Sequence, residues 1–139
     1  MPTITMNNSV AVDTNVLIYL HDKSDDRKRR IAENILADNP KIPAQVISEY
    51  LNVTRRLLDL SKTEIVKQCA DLLKDCDIIP TSHQTLMDAA NIINKHNFQI
   101  FDSIIIASAL HANCSVLYSE DMQHGFVIRN MTVLNPFIL

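Results

Sequence analysis

Short apolar runs alternate along this chain with longer stretches of helical spacing, and this alternation is the strongest constraint on its fold. Five of the runs are short enough for strands buried on both faces: Val10-Ala11-Val12, Lys41-Ile42-Pro43, Ile78-Ile79, Val116-Leu117-Tyr118 and Thr132-Val133-Leu134. Strands of this kind between helices of about 10 to 15 residues are typical of a parallel sheet covered by helices. We therefore predict an α/β domain with a central parallel sheet of about five strands.

Capping residues mark the helices between these runs. Ser61-Lys62-Thr63-Glu64 and Thr81-Ser82-His83-Gln84 both have the pattern of a capping box, and Asn97 suits the left-handed residue that ends a helix. Two earlier helices are indicated, one beginning near Asp25 or Asp26 and one within residues 44–60.

The segment from Ile104 to Ala112 is ambiguous, because its three consecutive isoleucines also suit a strand. We predict a helix buried on all sides, since the run is too long for a strand and Asp102-Ser103 can cap it. No repeat or linker divides the sequence, and 139 residues suit one domain. We expect that domain to span residues 1–139.

Composition excludes several classes of protein. The single glycine, Gly125, rules out glycine-rich phosphate loops, and a net charge of −3 gives no overall positive field. Cys69, Cys76 and Cys114 are odd in number and lack CxxC spacing, which argues against a disulfide framework or a zinc ribbon. No apolar run is long enough for a membrane span, and Met1 to Ser9 lack the pattern of a secretory signal, so we expect a cytoplasmic protein.

Acidic residues follow two of the predicted strands. Asp13 ends the first strand, while Glu120 and Asp121 come shortly after Val116-Leu117-Tyr118. Ligands of an open parallel sheet bind beyond the carboxyl ends of its strands, so we expect these acids at one rim. Two simpler alternatives stay open: Asp13 also suits a helix cap, and Glu120-Asp121 also suits a solvated turn.

Two further acids lie beside apolar residues. Asp102 stands within an apolar run, where a charge is costly unless a partner satisfies it, although a helix cap is the alternative. Glu49 shares a polar stripe at the edge of the core with Gln45, Asn52 and Arg56, although a solvated helix face would have the same pattern.

An oxygen-only set of acids is the kind of site that Mg²⁺ or Mn²⁺ prefers. Asp13, Glu49, Asp102 and Asp121 form such a set, with no clustered His or Cys. Carboxylates gathered at one rim repel one another unless a cation is present. A divalent ion held there would polarise a phosphodiester and orient an attacking water.

With these residues in view, the sequence resembles the PIN-domain ribonucleases and, among them, the toxins of VapBC toxin–antitoxin pairs. The resemblance extends over essentially the whole chain. It is carried by Val12-Asp13-Thr14-Asn15, Gln45-Val46-Ile47-Ser48-Glu49, Phe101-Asp102-Ser103-Ile104-Ile105-Ile106-Ala107, Leu117-Tyr118-Ser119-Glu120-Asp121 and Val133-Leu134-Asn135-Pro136-Phe137.

This resemblance implies a three-layer α/β/α fold and Mg²⁺- or Mn²⁺-dependent cleavage of RNA. The acidic quartet of the family matches Asp13, Glu49, Asp102 and Asp121, which we expect to be both the metal ligands and the catalytic residues. Thr14, Asn15 and Ser119 match supporting polar positions, and Ser119 stands where many members have threonine. Glu120 adjoins Asp121, so either acid, or both, is expected to face the metal.

The resemblance also implies partners, namely an RNA substrate, a cognate antitoxin and a second copy of the chain in a homodimer. We predict that Arg56 contacts an RNA phosphate or an acidic residue of an inhibitor, whereas Arg27-Lys28-Arg29-Arg30 has the pattern of a solvated helix face. Two other functions are alternatives to RNA cleavage. A phospho-acceptor receiver module would need a lysine after a late strand, and none follows residue 95. A non-catalytic PIN-like module for binding RNA or protein stays open.

Overall fold

The computed structural model describes residues 9–139 of the protein. The prediction about a secretory signal in Met1 to Ser9 lies almost wholly outside these residues, and the single domain over 1–139 stays a prediction.

The strands are β1 (Val10–Val12), β2 (Ile42–Pro43), β3 (Ile78–Ile79), β4 (Val116–Tyr118), β5 (Val127–Ile128) and β6 (Met131–Leu134). The helices are α1 (Thr14–Ile18), which runs into a 3₁₀ turn (Tyr19–His21), α2 (Asp26–Ala37), α3 (Ala44–Leu57), α4 (Lys62–Leu72), α5 (His83–His96) and α6 (Ile100–His111).

A mostly parallel sheet lies at the centre of the fold. Its strand order is β1-β4-β6-β5, and β2 and β3 form a parallel pair that a single bridge between Ala11 and Lys41 joins to β1. All five predicted strands are present, and the predicted α/β/α fold is confirmed. The structure contains one strand that was not predicted, β5, which runs antiparallel to β6. It has two residues, Val127 and Ile128.

The helix boundaries follow the capping residues, with corrections at the starts of α5 and α6. Ser61 and Glu64 form the predicted capping box of α4, and Asn97 ends α5 with a left-handed φ of 57°. The second predicted box is displaced by one residue, because the hydroxyl of Thr85 takes the place that Glu or Gln usually fills. Ser82 Oγ accepts from Thr85 N–H, and Thr85 Oγ1 accepts from Ser82 N–H, both at 3.1 Å.

Helix α6 is buried along most of its length, as predicted, and it packs most extensively against α5. Its Ile105 and Ile106 are 0% exposed, and a side chain buried to this extent contributes about 1.5–3 kcal/mol. The predicted capping role of Asp102 is wrong, because the helix begins at Ile100 and its N-cap is Gln99, three residues before Asp102. Asp102 lies instead in the first helical turn, where the helix dipole still favours an acidic side chain.

The register of the sheet determines where the functional rim lies. Strands β1 and β4 are parallel neighbours, with Val12 opposite Tyr118, and Asp13 N–H donates to the carbonyl of Tyr118 at 2.8 Å. The residues that follow the two strands, Asp13 and Ser119, therefore emerge side by side.

Among residues 9–139, no helix combines the length and the apolar character that crossing a membrane requires.

Candidate functional site

A pocket of about 210 Å³ opens beyond the carboxyl ends of β1 and β4. It is lined by Asp13, Thr14, Asn15, Ile18, Glu49, Asn52, Val53, Asp102 and Asp121. The structure thus brings together the four acids that the sequence singled out, from four separate parts of the chain. Within the described part of the chain, no basic side chain lines this pocket, so its negative charge is not neutralised by the protein.

Asp13 is the most deeply placed of the four acids, with 5% of its surface exposed. One carboxylate oxygen accepts the backbone N–H of Thr14 at 2.7 Å, as the cap of α1, and the other accepts the hydroxyl of Ser119 at 2.7 Å. Burial raises the pKa of Asp13 to about 6, the two hydrogen bonds oppose this rise, and the carboxylates of Asp102 and Glu49 add to it. Asp13 therefore caps α1 and also lines the pocket.

Glu49 enters the pocket from the second turn of α3. One of its carboxylate oxygens accepts the hydroxyl of Thr14 at 3.3 Å, and the other accepts the side-chain amide of Gln45 at 3.1 Å. Thr14 therefore contacts two of the acids, through its backbone N–H to Asp13 and through its hydroxyl to Glu49. These contacts orient the Glu49 carboxylate along the polar stripe that the sequence predicts.

Asp102 reaches the pocket from the first turn of α6 and is partly buried. Its pKa is raised, first by burial and then by the negative charges of Glu49 and Asp121. Among residues 9–139, no side chain or backbone group donates a hydrogen bond to its carboxylate. Within the described residues, Asp102 is thus the one of the four acids that accepts no hydrogen bond from the protein.

Asp121 and Glu120 lie in the turn after β4 and face in different directions. Asp121 is exposed, lines the pocket and accepts a hydrogen bond from the side-chain amide of Asn15. Glu120 accepts hydrogen bonds from Tyr19 and Lys28 and does not line the pocket. Burial tends to raise the pKa of Glu120, but these two partners outweigh it and lower the pKa. The sequence pattern predicts a solvated helix face for the basic run that contains Lys28, but the Lys28 side chain is partly buried and pairs with Glu120.

Some residues at the rim were not among the predicted site residues. Asn52, Val53 and Ile18 line the pocket, and the helical spacing of Asn52 and Val53 from Glu49 is the signal that indicates their position. Arg56 follows one turn later on α3. It is exposed, its Nε lies 3.4 Å from the carbonyl of Asn52, and it does not line the pocket itself.

The donor set of the pocket fits a hard divalent cation. Its polar groups are four carboxylates, two side-chain amides and a hydroxyl, without a thiolate or an imidazole. Oxygen-only sites of this kind suit Mg²⁺ or Mn²⁺. The acids share a pocket but are not already gathered as ligands: within residues 9–139, no three Asp, Glu, His or Cys side chains form a group that could hold one ion.

Solved structures share this fold over nearly the full chain. A toxin–antitoxin complex from Klebsiella pneumoniae is 22% identical, with 92% of this chain and 98% of that chain covered and a TM-score of 0.69. FitAcB from Neisseria gonorrhoeae is 18% identical, covering 94% of this chain and 99% of that chain, with a TM-score of 0.70. Mycobacterium tuberculosis VapC20, described as a sarcin–ricin loop cleaving toxin, is 18% identical, covering 81% and 90%, with a TM-score of 0.64.

The sequence of the chain matches a known family as well. No protein with a curated description matches the chain significantly. The family model of the PIN domain, however, matches residues 10–125, a span that begins with β1 and includes all four acids of the pocket. The chain therefore belongs to the PIN domain family.

Proposed function

We propose that this protein is a metal-dependent endoribonuclease that hydrolyses RNA phosphodiester bonds, and that it is the VapC-type toxin of a toxin–antitoxin pair. The observation that carries the proposal is a pocket lined by four acids and, within the described residues, by no base. Such a pocket is stable only when protons or a cation reduce its charge. Burial is the main cause of the raised pKa of Asp13, about 6, and the negative charges of Asp102 and Glu49 add to it.

We assign Asp13 and Asp102 as the main ligands of Mg²⁺ or Mn²⁺, with Glu49 and Asp121 completing the site directly or through water. When bound, the ion would polarise the phosphodiester, orient the attacking water and stabilise the leaving oxygen. Because the carboxylates repel one another, we expect them to lie closer together in the loaded site than in the structure described here.

Polar neighbours hold the acids in place. Ser119 and Thr14 donate to Asp13, Thr14 also donates to Glu49, and Asn15 donates to Asp121. Hydrogen bonds to a carboxylate favour its charged form, which is the form that binds a metal. These residues therefore act by orienting the acids, and the hydrogen bonds from Ser119 and Thr14 also favour the ionised form of Asp13.

The substrate and partners are assigned on the family resemblance, supported by the fold neighbours. One neighbour is described as a toxin that cleaves the sarcin–ricin loop, and another as a toxin–antitoxin complex. We propose an RNA substrate, a cognate antitoxin, a homodimeric state and a cytoplasmic location for this chain. Arg56, exposed one turn beyond Asn52, is proposed to contact an RNA phosphate or an acidic residue of the antitoxin.

An RNA cleavage assay tests the proposal. The wild-type protein is incubated with structured RNA in the presence of Mg²⁺ or Mn²⁺, and again with an excess of chelator. We expect cleavage that the chelator stops and that either metal restores. The Asp13→Asn variant should fold but cut no RNA, whereas Asp71→Asn, on the exposed surface of α4, should cut as the wild type does. RNA binding without cleavage under every metal condition would favour the non-catalytic binding module instead.

A further inference from the structure

The turn after β4 contains two adjacent acids whose carboxylates have different partners. Oε1 of Glu120 accepts the hydroxyl of Tyr19 at 2.6 Å, and its Oε2 accepts Nζ of Lys28 at 2.5 Å. Asp121 turns toward the pocket, where Asn15 donates to it. Glu120 is thus fixed outside the pocket while its neighbour lines it.

Lys28 is held by more than one contact. Its ammonium donates to the hydroxyl of Tyr19 at 3.1 Å and lies 4.7 Å from the centre of that ring and 5.5 Å from the ring of Phe137. The two rings pack edge to face, with their centres 4.9 Å apart. The side chains of Lys28 and Glu120 are only 27% and 22% exposed, so solvent screens this ion pair less than it screens an open surface pair.

These contacts connect three elements around the pocket. Tyr19 directly follows α1, whose first residues Thr14 and Asn15 line the pocket, while Lys28 belongs to α2 and Glu120 to the turn after β4. The residues on either side of the two acids, Ser119 and Met122, are buried, and Ser119 Oγ accepts the backbone N–H of Met122 at 3.1 Å. Asp121 itself is exposed, and Asn15 is its one hydrogen-bond partner among residues 9–139.

Lys28 is set apart from the other basic residues of its run. Arg29 pairs with Asp26 on its own helix, Arg27 donates to the carbonyl of Phe137, and Arg30 is exposed. Within the described residues, only Lys28 of this run reaches the turn that carries Asp121. Its location is therefore suited to transmit a constraint to the pocket.

We propose that Lys28, Tyr19 and Glu120 form a clamp that positions Asp121 for metal binding, so that Lys28 is a positioning residue although it does not line the pocket. This inference rests on the proposed metal-dependent function. With the clamp in place, Glu120 cannot rotate toward the pocket and Asp121 keeps its orientation beside Asn15. Without it, the turn samples other orientations, and ordering Asp121 at the metal then opposes binding.

The test is a calorimetric titration of the full-length protein with Mn²⁺, carried out on Lys28→Met. This substitution keeps the length and apolar stem of the side chain but removes its charge. We expect the dissociation constant for Mn²⁺ to rise about tenfold, while the maximal rate of RNA cleavage returns at saturating Mn²⁺. Lys23→Met, which removes an exposed lysine just before α2, should bind Mn²⁺ as the wild type does, and Lys28→Arg should restore most of the affinity.

A second readout does not depend on the metal. The side-chain amide of Asn15 donates to Asp121, so its NMR signals report the orientation of that carboxylate. We expect these signals to shift in metal-free Lys28→Met and not in Lys23→Met. If Lys28→Met does not fold, Tyr19→Phe, which removes one hydroxyl from the clamp, replaces it and should raise the dissociation constant in the same direction.

The outcomes separate this proposal from the proposed function. A wild-type protein that binds no Mn²⁺ and cuts no RNA overturns both. A wild-type protein that does both, together with a Lys28→Met variant whose melting temperature falls while its Mn²⁺ affinity and Asn15 signals stay unchanged, overturns the clamp alone. In that case the Lys28–Glu120 pair only stabilises the fold.

Discussion

The hydroxyl of Ser119 donates a hydrogen bond of 2.7 Å to Oδ2 of Asp13, although 106 positions separate the two residues in the sequence. Ser119 is 0% exposed, and it also accepts the backbone N–H of Met122. The contact connects the ends of β1 and β4 at the base of the acidic pocket. It is also one of the two hydrogen bonds that hold the pKa of Asp13 below the value that burial alone would give.

Replacing Ser119 with alanine should therefore affect both stability and pH dependence. The variant leaves a buried carboxylate oxygen and a buried N–H without their partner, which should lower the free energy of unfolding by about 1–3 kcal/mol. It should also raise the pKa of Asp13 further, because one hydrogen bond to the charged form is lost. We expect the acidic limb of the pH–rate profile for RNA cleavage to move to higher pH.

The control is Ser119→Thr, which retains the hydroxyl and should keep the acidic limb where the wild type has it. Urea unfolding of both variants measures the change in the free energy of unfolding separately from the change in pH dependence. A Ser119→Ala profile that superimposes on that of the wild type would show that this hydroxyl does not influence the ionisation of Asp13.

The buried carboxylate of Asp13 predicts an unusual dependence of stability on pH. Because its pKa is raised from 3.8 to about 6 in the folded protein, its contribution to stability is fully present below pH 3.8 and is lost as the pH rises through about 6. Without metal, the wild type should lose roughly 2 kcal/mol relative to Asp13→Asn between about pH 4 and about pH 8. Urea unfolding of both proteins in the presence of a chelator measures this difference.

Divalent metal should reverse this loss where Asp13 is ionised. We expect added Mn²⁺ to raise the melting temperature of the wild type at about pH 8 and to have little effect at about pH 4, because a metal binds the deprotonated carboxylate. Asp13→Asn serves as the control at both pH values. Unfolding free energies of the two proteins that run parallel over the whole pH range would contradict the electrostatic interpretation of the pocket.

Arg56 provides a test of substrate contact outside the pocket. Because it is exposed and one turn beyond Asn52, Arg56→Glu should leave the fold intact and raise the KM for RNA on the order of fivefold, with little change in kcat. The salt dependence of RNA binding should become shallower, with a slope smaller by about one. Arg55→Glu makes the same charge change at the neighbouring exposed position and should have a smaller effect. Equal effects of the two substitutions would remove the specific role of Arg56.

The sequence predicts the rim of the pocket well because the physics involved is local or topological. Asp13 follows a buried strand and Asp121 follows another, and parallel strands place their carboxyl ends at one edge of the sheet. Helical spacing places Glu49 on a polar stripe of α3 at the edge of the core, and the family resemblance adds it to the acidic set. For the same reason the five predicted strands and the buried character of α6 are confirmed.

Details set by distant contacts could not be predicted in this way. Glu120 and Asp121 are adjacent and chemically alike, and only the partners that Lys28 and Tyr19 provide show which of them faces away from the pocket. Asp102 has a residue type that suits a helix cap, but α6 begins at Ile100, because the chain is still extended at Gln99. Residues that suit a cap are found at and just inside the start of a helix, so the residue type alone does not determine its first residue.

Calorimetric measurement of Mn²⁺ binding to wild-type protein, Asp13→Asn and Asp71→Asn at about pH 7.5, where Asp13 is ionised, tests whether the acids of the pocket hold a cation. We expect saturable binding by the wild type, the same affinity in Asp71→Asn, and binding at least about tenfold weaker in Asp13→Asn. Equal affinities in all three proteins, or no saturable binding by the wild type, would contradict the claim that these acids form a cation site.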